Sequence, residues 1–173
     1  MGKSPEYFEK TDKVVLVLTN VLSGIAGIMM ALLTMFVFAE VLCRYVFKAP
    51  IVITSEMTSI LFPWIVMLSA ISIAKNEQNT ALVLFRNKFR GIYKHVVEIA
   101  IYLITLYFST FMTIASFNLC MSLRREILAL TRVSKAFTYG SMVIGFTGIS
   151  LVVAYNMIKY IMIEINKDEE VRR

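Results

Sequence analysis

Four stretches of this chain, residues 14–39, 57–74, 99–123 and 136–158, contain no Asp, Glu, Lys, Arg or His. A helix rises about 1.5 Å per residue and a bilayer's hydrocarbon core is about 30 Å thick, so roughly 20 apolar residues suffice to cross it. Each run is of that order. With 58% of the 173 residues hydrophobic and only 17% charged, lipid is the expected solvent. The expected fold is an all-α integral membrane protein, a single tilted bundle of four transmembrane helices over residues 1–173, with interfacial amphipathic helices. The longest piece outside the runs, residues 75–98, is itself partly apolar and leaves no room for a soluble domain.

The first run is longer than the apolar core of a signal peptide and lacks a small-residue cleavage site, so the span is expected to be retained. An even number of spans puts both termini on one side. Twelve Lys and Arg residues fall on the side of the termini and the middle loop, against six on the other: Arg44, Lys48, Arg124, Arg125, Arg132 and Lys135. Basic residues accumulate on the cytoplasmic face, so both termini are expected there. The net charge of +6 then serves lipid headgroups, since no soluble basic domain exists to hold a nucleic acid. Cys43 and Cys120 follow the first and third runs and are expected near the same face, either as a disulfide or as two isolated thiols.

Within the middle loop, Leu82, Phe85, Phe89, Ile92 and Val96 recur at helical spacing while Arg86, Lys88, Arg90 and Lys94 take other positions. The pattern predicts an amphipathic surface helix over about 80–95 on the lipid surface, with a solvated basic loop as the alternative. The third loop carries a weaker version of this pattern in Ile127, Leu128, Leu130 and Val133. Pro50 breaks an aromatic and basic first loop expected to lie against the membrane. Pro63, inside the second run, removes the hydrogen bond to the Ser59 carbonyl and predicts a kink beside Trp64. Small residues four apart, Ser23 with Gly27 and Ser141 with Gly145, are packing signals for close helix approach.

Chemistry is sparse. A haem-carrying bundle needs axial histidines within its spans, but His95, the one histidine, stands at the edge of the third run. Thiol exchange calls for Cys-x-x-Cys, and proton-coupled export for a carboxylate in mid-span; neither pattern is present. A self-sufficient carrier generally shows paired broken helices, and one proline with no evident repeat does not meet that. Asn20, Asn118 and Asn156 read as interhelical hydrogen-bond donors and acceptors rather than ligands. Polar residues gather instead around the end of the first two runs: Glu40 and Arg44, one helical turn apart, and Glu56, whose charge meets the positive end of a helix dipole. Either these are satisfied interfacial groups or they orient the bundle against a second membrane protein. No enzymatic or metal site is expected.

The stretch FAEVLCRYVFKAPIVITSEMTSILFPWIVMLSAISIAKNEQNTALVLF resembles the small membrane subunit of tripartite ATP-independent periplasmic (TRAP) transporters, the DctQ-like family. Arg44 and Tyr45 near the end of the first span, Glu56 opening the second and Trp64 within it match that family's pattern. Ser55 stands where the family often pairs a second acidic residue with Glu56. Ser69 or Ala70 replaces a frequent glycine, and Gln78 a frequent histidine. The resemblance implies a non-enzymatic scaffold in the bacterial inner membrane. Its partners would be a large multi-spanning subunit and a periplasmic substrate-binding protein. No cofactor is implied, Na⁺ coupling being expected on the large subunit, which moves an organic acid of the sialic-acid or dicarboxylate class in an elevator-like displacement. Arg44, Tyr45, Glu56, Trp64 and Glu40 are then the partner-interface or structural residues. A stand-alone channel or carrier, and a membrane assembly factor, are the competing readings.

Overall fold

The computed structural model describes residues 6–48, 53–75 and 92–171. They form four helices: α1 (Glu6–Val46), α2 (Ile53–Lys75), α3 (Ile92–Ser122) and α4 (Lys135–Val171). All four are long and apolar enough to cross a membrane. The expected four-span all-α architecture is therefore present. Three helices run well past the charge-free stretches because charge ends burial in hydrocarbon, not helical geometry. At 41 residues α1 is about 60 Å long, twice the hydrocarbon thickness. It ends where Lys48 turns to a φ of 52°, a left-handed stop, after Phe47 N–H makes a last bond to the Cys43 carbonyl at 3.1 Å.

Packing is sequential rather than closed. α1 lies on α2, α2 on α4, and α4 on α3, so the helices stand in a row with α1 and α3 at its two edges. The edge helices accordingly bury one narrow stripe each. In α1 it is Thr19, Ala26 and Leu33, seven residues apart, and in α3 Glu98, Tyr102, Ser109 and Ser116, four or seven apart. Two of the hydroxyls on these stripes are satisfied within their own helix: Thr19 donates to the Val15 carbonyl at 3.0 Å and Ser109 to the Leu106 carbonyl at 3.2 Å. That is how a polar residue stays in a bilayer without marking a site. Between the two central helices the approach is closest at Gly145 and Gly148 of α4, which face Met67 and Ile71 of α2. The Ser141–Gly145 pair thus lies at an interface, with Ser141 fully buried. The Ser23–Gly27 pair does not: both residues are exposed, and a Cβ on Gly27 would meet nothing.

Two loop expectations meet different outcomes. Most of the 80–95 surface segment, including Arg86, Lys88 and Arg90, lies outside the described residues. Ile92–His95 belongs instead to the first turn of the spanning helix α3, where only the backbone of Lys94 is described. The third loop is not a weak surface helix but a tight hairpin. Leu128 N–H donates to the Val133 carbonyl at 2.9 Å and Lys135 N–H to the Glu126 carbonyl at 2.8 Å, around an Ile127–Ser134 bridge. Arg132, at φ 54°, makes the reversal, and Ser134 Oγ donates to the Arg124 carbonyl at 2.9 Å. The apolar spacing lost to a tertiary acceptor: Glu56 of α2 takes up turn amides that a helix would have paired locally.

Candidate functional site

Polar side chains are concentrated at the two ends of the row. At the end away from the termini, the Glu56 carboxylate accepts four bonds. Leu130 N–H donates to both oxygens, at 3.0 and 3.1 Å, and Thr131 donates to Oε2 through its amide at 2.8 Å and its hydroxyl at 3.0 Å. Successive backbone N–H groups in a turn form a concavity for an anion, and here the anion is the chain's own carboxylate. Below it the Trp64 ring lies 5.2 Å from that of Phe137 in the first turn of α4, tilted by 38°. The Trp64 indole N–H is buried with no acceptor among the described residues. Glu56 and Trp64 therefore fix α2 against the α3–α4 hairpin and α4, rather than against α1. Residues 74 and 75 positions apart meet here, and nothing in the sequence around Leu130 or Thr131 marks them as the acceptor's partners.

Arg44 behaves differently. Its guanidinium donates to Glu40 Oε1 at 2.8 Å, the intrahelical pair expected from their spacing, while 58% of its side chain stays exposed. Tyr45 beside it is 77% exposed. These two residues and Glu40 thus form an open corner at the end of α1, not joined by any described hydrogen bond to Glu56. Cys43 and Cys120 are free thiols, and Cys120 donates to the Ala136 carbonyl at 3.3 Å.

At the opposite end one carboxylate holds three helices. Asp12 of α1 pairs with Lys75 at the end of α2 and with Lys159 of α4, the latter at 2.9 Å. The Lys75 side chain is only 7% exposed, and its ammonium lies 4.8 Å from the centre of the Tyr155 ring, a cation–π contact. Asn156 donates to the Ala74 and Lys75 carbonyls at 3.3 and 3.4 Å, capping orphan acceptors at the end of α2. Of the three asparagines in the spans, this one links helices within the chain, whereas Asn20 and Asn118 are exposed. On the α3 side, His95 Nδ1 and the Tyr160 hydroxyl are 2.6 Å apart, and Tyr102 stacks near Tyr160 with centroids 6.0 Å apart.

In the sequence, Lys75 and Lys159 entered only the count of basic residues on the side of the termini, and Asp12 was not singled out. The missed signal was their placement: each sits at the rim of a different charge-free run, all on one side, one acid between two bases. Chemically, both clusters can hold helices in place, and neither presents a nucleophile with a base. Among the described residues no group of His, Cys, Asp and Glu could hold a metal ion.

Comparison with curated proteins gave no match. The family model described as "Tripartite ATP-independent periplasmic transporters, DctQ component" matches residues 33–161, from the middle of α1 through the hairpin into the last third of α4. That match covers most of the chain and both edges of the Glu56 latch, and on it this four-helix membrane protein belongs to the DctQ family, as a transporter component rather than an enzyme.

Proposed function

We propose that the chain is the fixed frame of a TRAP transporter, against which a large multi-spanning subunit binds substrate and moves it. The observation that carries this reading is the open row. α1 and α3 each pack along one neighbour only, α1 touching α4 besides at the Asp12–Lys159 pair, so both keep long unburied faces, while polar latches at the two ends hold the helices in register. Exposed amides in two of the spans, Asn20 and Asn118, add to it, because an amide facing hydrocarbon is costly and a partner helix relieves that cost. A moving domain needs a neighbour that does not move with it, and a latched slab with free faces is suited to that task.

In this reading a periplasmic binding protein delivers the substrate, an organic acid of the sialic-acid or dicarboxylate class. Na⁺ coupling and the elevator-like displacement belong to the large subunit. The chain sits in the bacterial inner membrane with both termini cytoplasmic, and Glu40, Arg44 and Tyr45 at the open end of α1 contribute to assembly. The test is extraction of the tagged chain from its host in mild detergent, with mass spectrometry of what co-purifies. Recovery of a large multi-spanning protein at one-to-one ratio is expected, with solute flux only when both are reconstituted. Flux in liposomes holding this chain alone would refute the frame role.

A further inference from the structure

We propose that the hairpin of residues 123–134 is an anchor for anionic lipid headgroups. Ile127 and Leu130 enter the hydrocarbon boundary, and Arg124, Arg125 and Arg132 engage headgroup phosphates. The proposal rests on the chain spanning a membrane and is independent of its role in transport.

The first reason is position. The hairpin is short and both of its feet are spans, α3 ending at Ser122 and α4 starting at Lys135, so it cannot leave the level where the helices emerge. The same end of the row exposes Tyr45 and Phe47 at the close of α1, aromatic side chains of the kind that collect at headgroup level. The second reason is surface chemistry. Ile127 is 63% exposed and Leu130 48%, large apolar side chains that water does not favour, and three exposed arginines lie within five residues of one or the other. The arginine forks match phosphate oxygens. Apolar knobs set among arginines are complementary to the boundary of an anionic bilayer.

The third reason is the backbone. A loop can enter a water-poor region only if its amides are paired. Here Leu128 and Lys135 N–H bond across the hairpin, and the turn amides of Leu130 and Thr131 are taken by Glu56. The latch therefore does for the hairpin what a helix does for its own backbone, and it pre-forms the anchor before any lipid arrives. Lys135 is drawn to Glu126 at 2.8 Å, leaving phosphate to the arginines.

The test places an environment-sensitive fluorophore on Ile127→Cys in a full-length Cys43→Ser, Cys120→Ser chain. The labelled protein is reconstituted in vesicles of phosphatidylcholine with and without phosphatidylglycerol. Quenching by brominated phosphatidylglycerol, by brominated phosphatidylcholine and by aqueous iodide is compared, with Trp64 emission as the control for folding. In mixed vesicles the probe is expected to be shielded from iodide and quenched preferentially by the brominated anionic lipid. Replacing Arg124, Arg125 and Arg132 together by Gln leaves the hairpin's hydrogen bonds intact and lowers that preference at least about fivefold, the factor a single basic residue carries near an anionic surface. Replacing them by Lys keeps it. Iodide access in anionic vesicles, or equal quenching by the two lipids before any arginine is changed, overturns the proposal. So does shielding that arises only when a soluble periplasmic protein is added, which would assign the surface to that protein.

Discussion

Replacing Gly145 by Ala puts a methyl carbon 2.6 Å from the Cβ and Sδ of Met67 and 2.9 Å from its Cγ. Carbon atoms rest about 3.5–4.0 Å apart, so the two central helices must separate by about 1 Å. The Met67 Cβ is fixed to the α2 backbone and cannot rotate away. Overpacking of this kind costs about 1–3 kcal/mol, and the better helix propensity of Ala returns up to about 1 kcal/mol. We expect a net loss of about 1–2 kcal/mol. Two other glycines calibrate it. A Cβ on Gly148 meets the Ile71 Cδ1 at 2.6 Å and Cγ1 at 3.0 Å; the Cδ1 can swing aside but the buried, β-branched Cγ1 has little room, so Gly148→Ala should be destabilising by less than Gly145→Ala. A Cβ on Gly27 meets nothing within 4 Å, so Gly27→Ala should be neutral or stabilising by up to about 1 kcal/mol. Unfolding by SDS in mixed micelles, followed through Trp64, reads the relevant interface, because this one tryptophan stacks on Phe137 between α2 and α4. Equal stability of the Gly145→Ala and Gly27→Ala proteins would refute the close approach. So would full rescue of Gly145→Ala by Met67→Ala, which removes Cγ and Sδ but leaves the Cβ contact in place.

Three further outcomes are expected. Asp12→Asn strands the buried Lys75 ammonium; breaking a fully buried pair costs about 3–5 kcal/mol, and since Asp12 is 33% exposed we expect about 1–2 kcal/mol, mostly recovered by adding Lys75→Met. The same micelle titration checks it, and additive losses in the double variant would contradict the pairing. Glu56→Gln removes the charged acceptor of the hairpin turn, so limited trypsin digestion after Arg124, Arg125 and Arg132 should accelerate; an unchanged cleavage rate would mean the turn is held by other means. Lys48→Gly relieves a left-handed residue at φ 52° and should raise stability by about 0.5–1 kcal/mol, whereas a loss would show that the lysine side chain contributes more than its backbone costs.

Which features could be read in advance depended on whether their cause is local. Absence of charge over a bilayer's width is a local property, and it located all four spans. The helix ends were missed because helices continue past the hydrocarbon, α4 reaching Val171 although its charge-free run stops at 158. Glu40 and Arg44 were paired correctly from their spacing, since both partners stand on one helix. Glu56 was placed correctly at the opening of α2, but its partners were not, because they are backbone amides 74 and 75 residues away with no side-chain signature. The hairpin itself illustrates the same limit: its apolar spacing suited a helix, and the carboxylate that takes up its turn amides comes from another helix.

Sequence alone determined that lipid is the solvent, that there are four spans, and that the chain resembles a TRAP small subunit. Hydropathy and motif residues are carried by the chain itself and need no neighbours to be read. Tertiary structure decided the order of the helices in the row, and with it which asparagine is satisfied internally and which stay exposed. It also decided that Asp12 joins α1, α2 and α4, and that Glu56 shapes the third loop. Each of these depends on which helix faces which. In a bilayer that choice rests on close contact at small residues and on a few polar pairs, since apolar surface is equally content against lipid or protein.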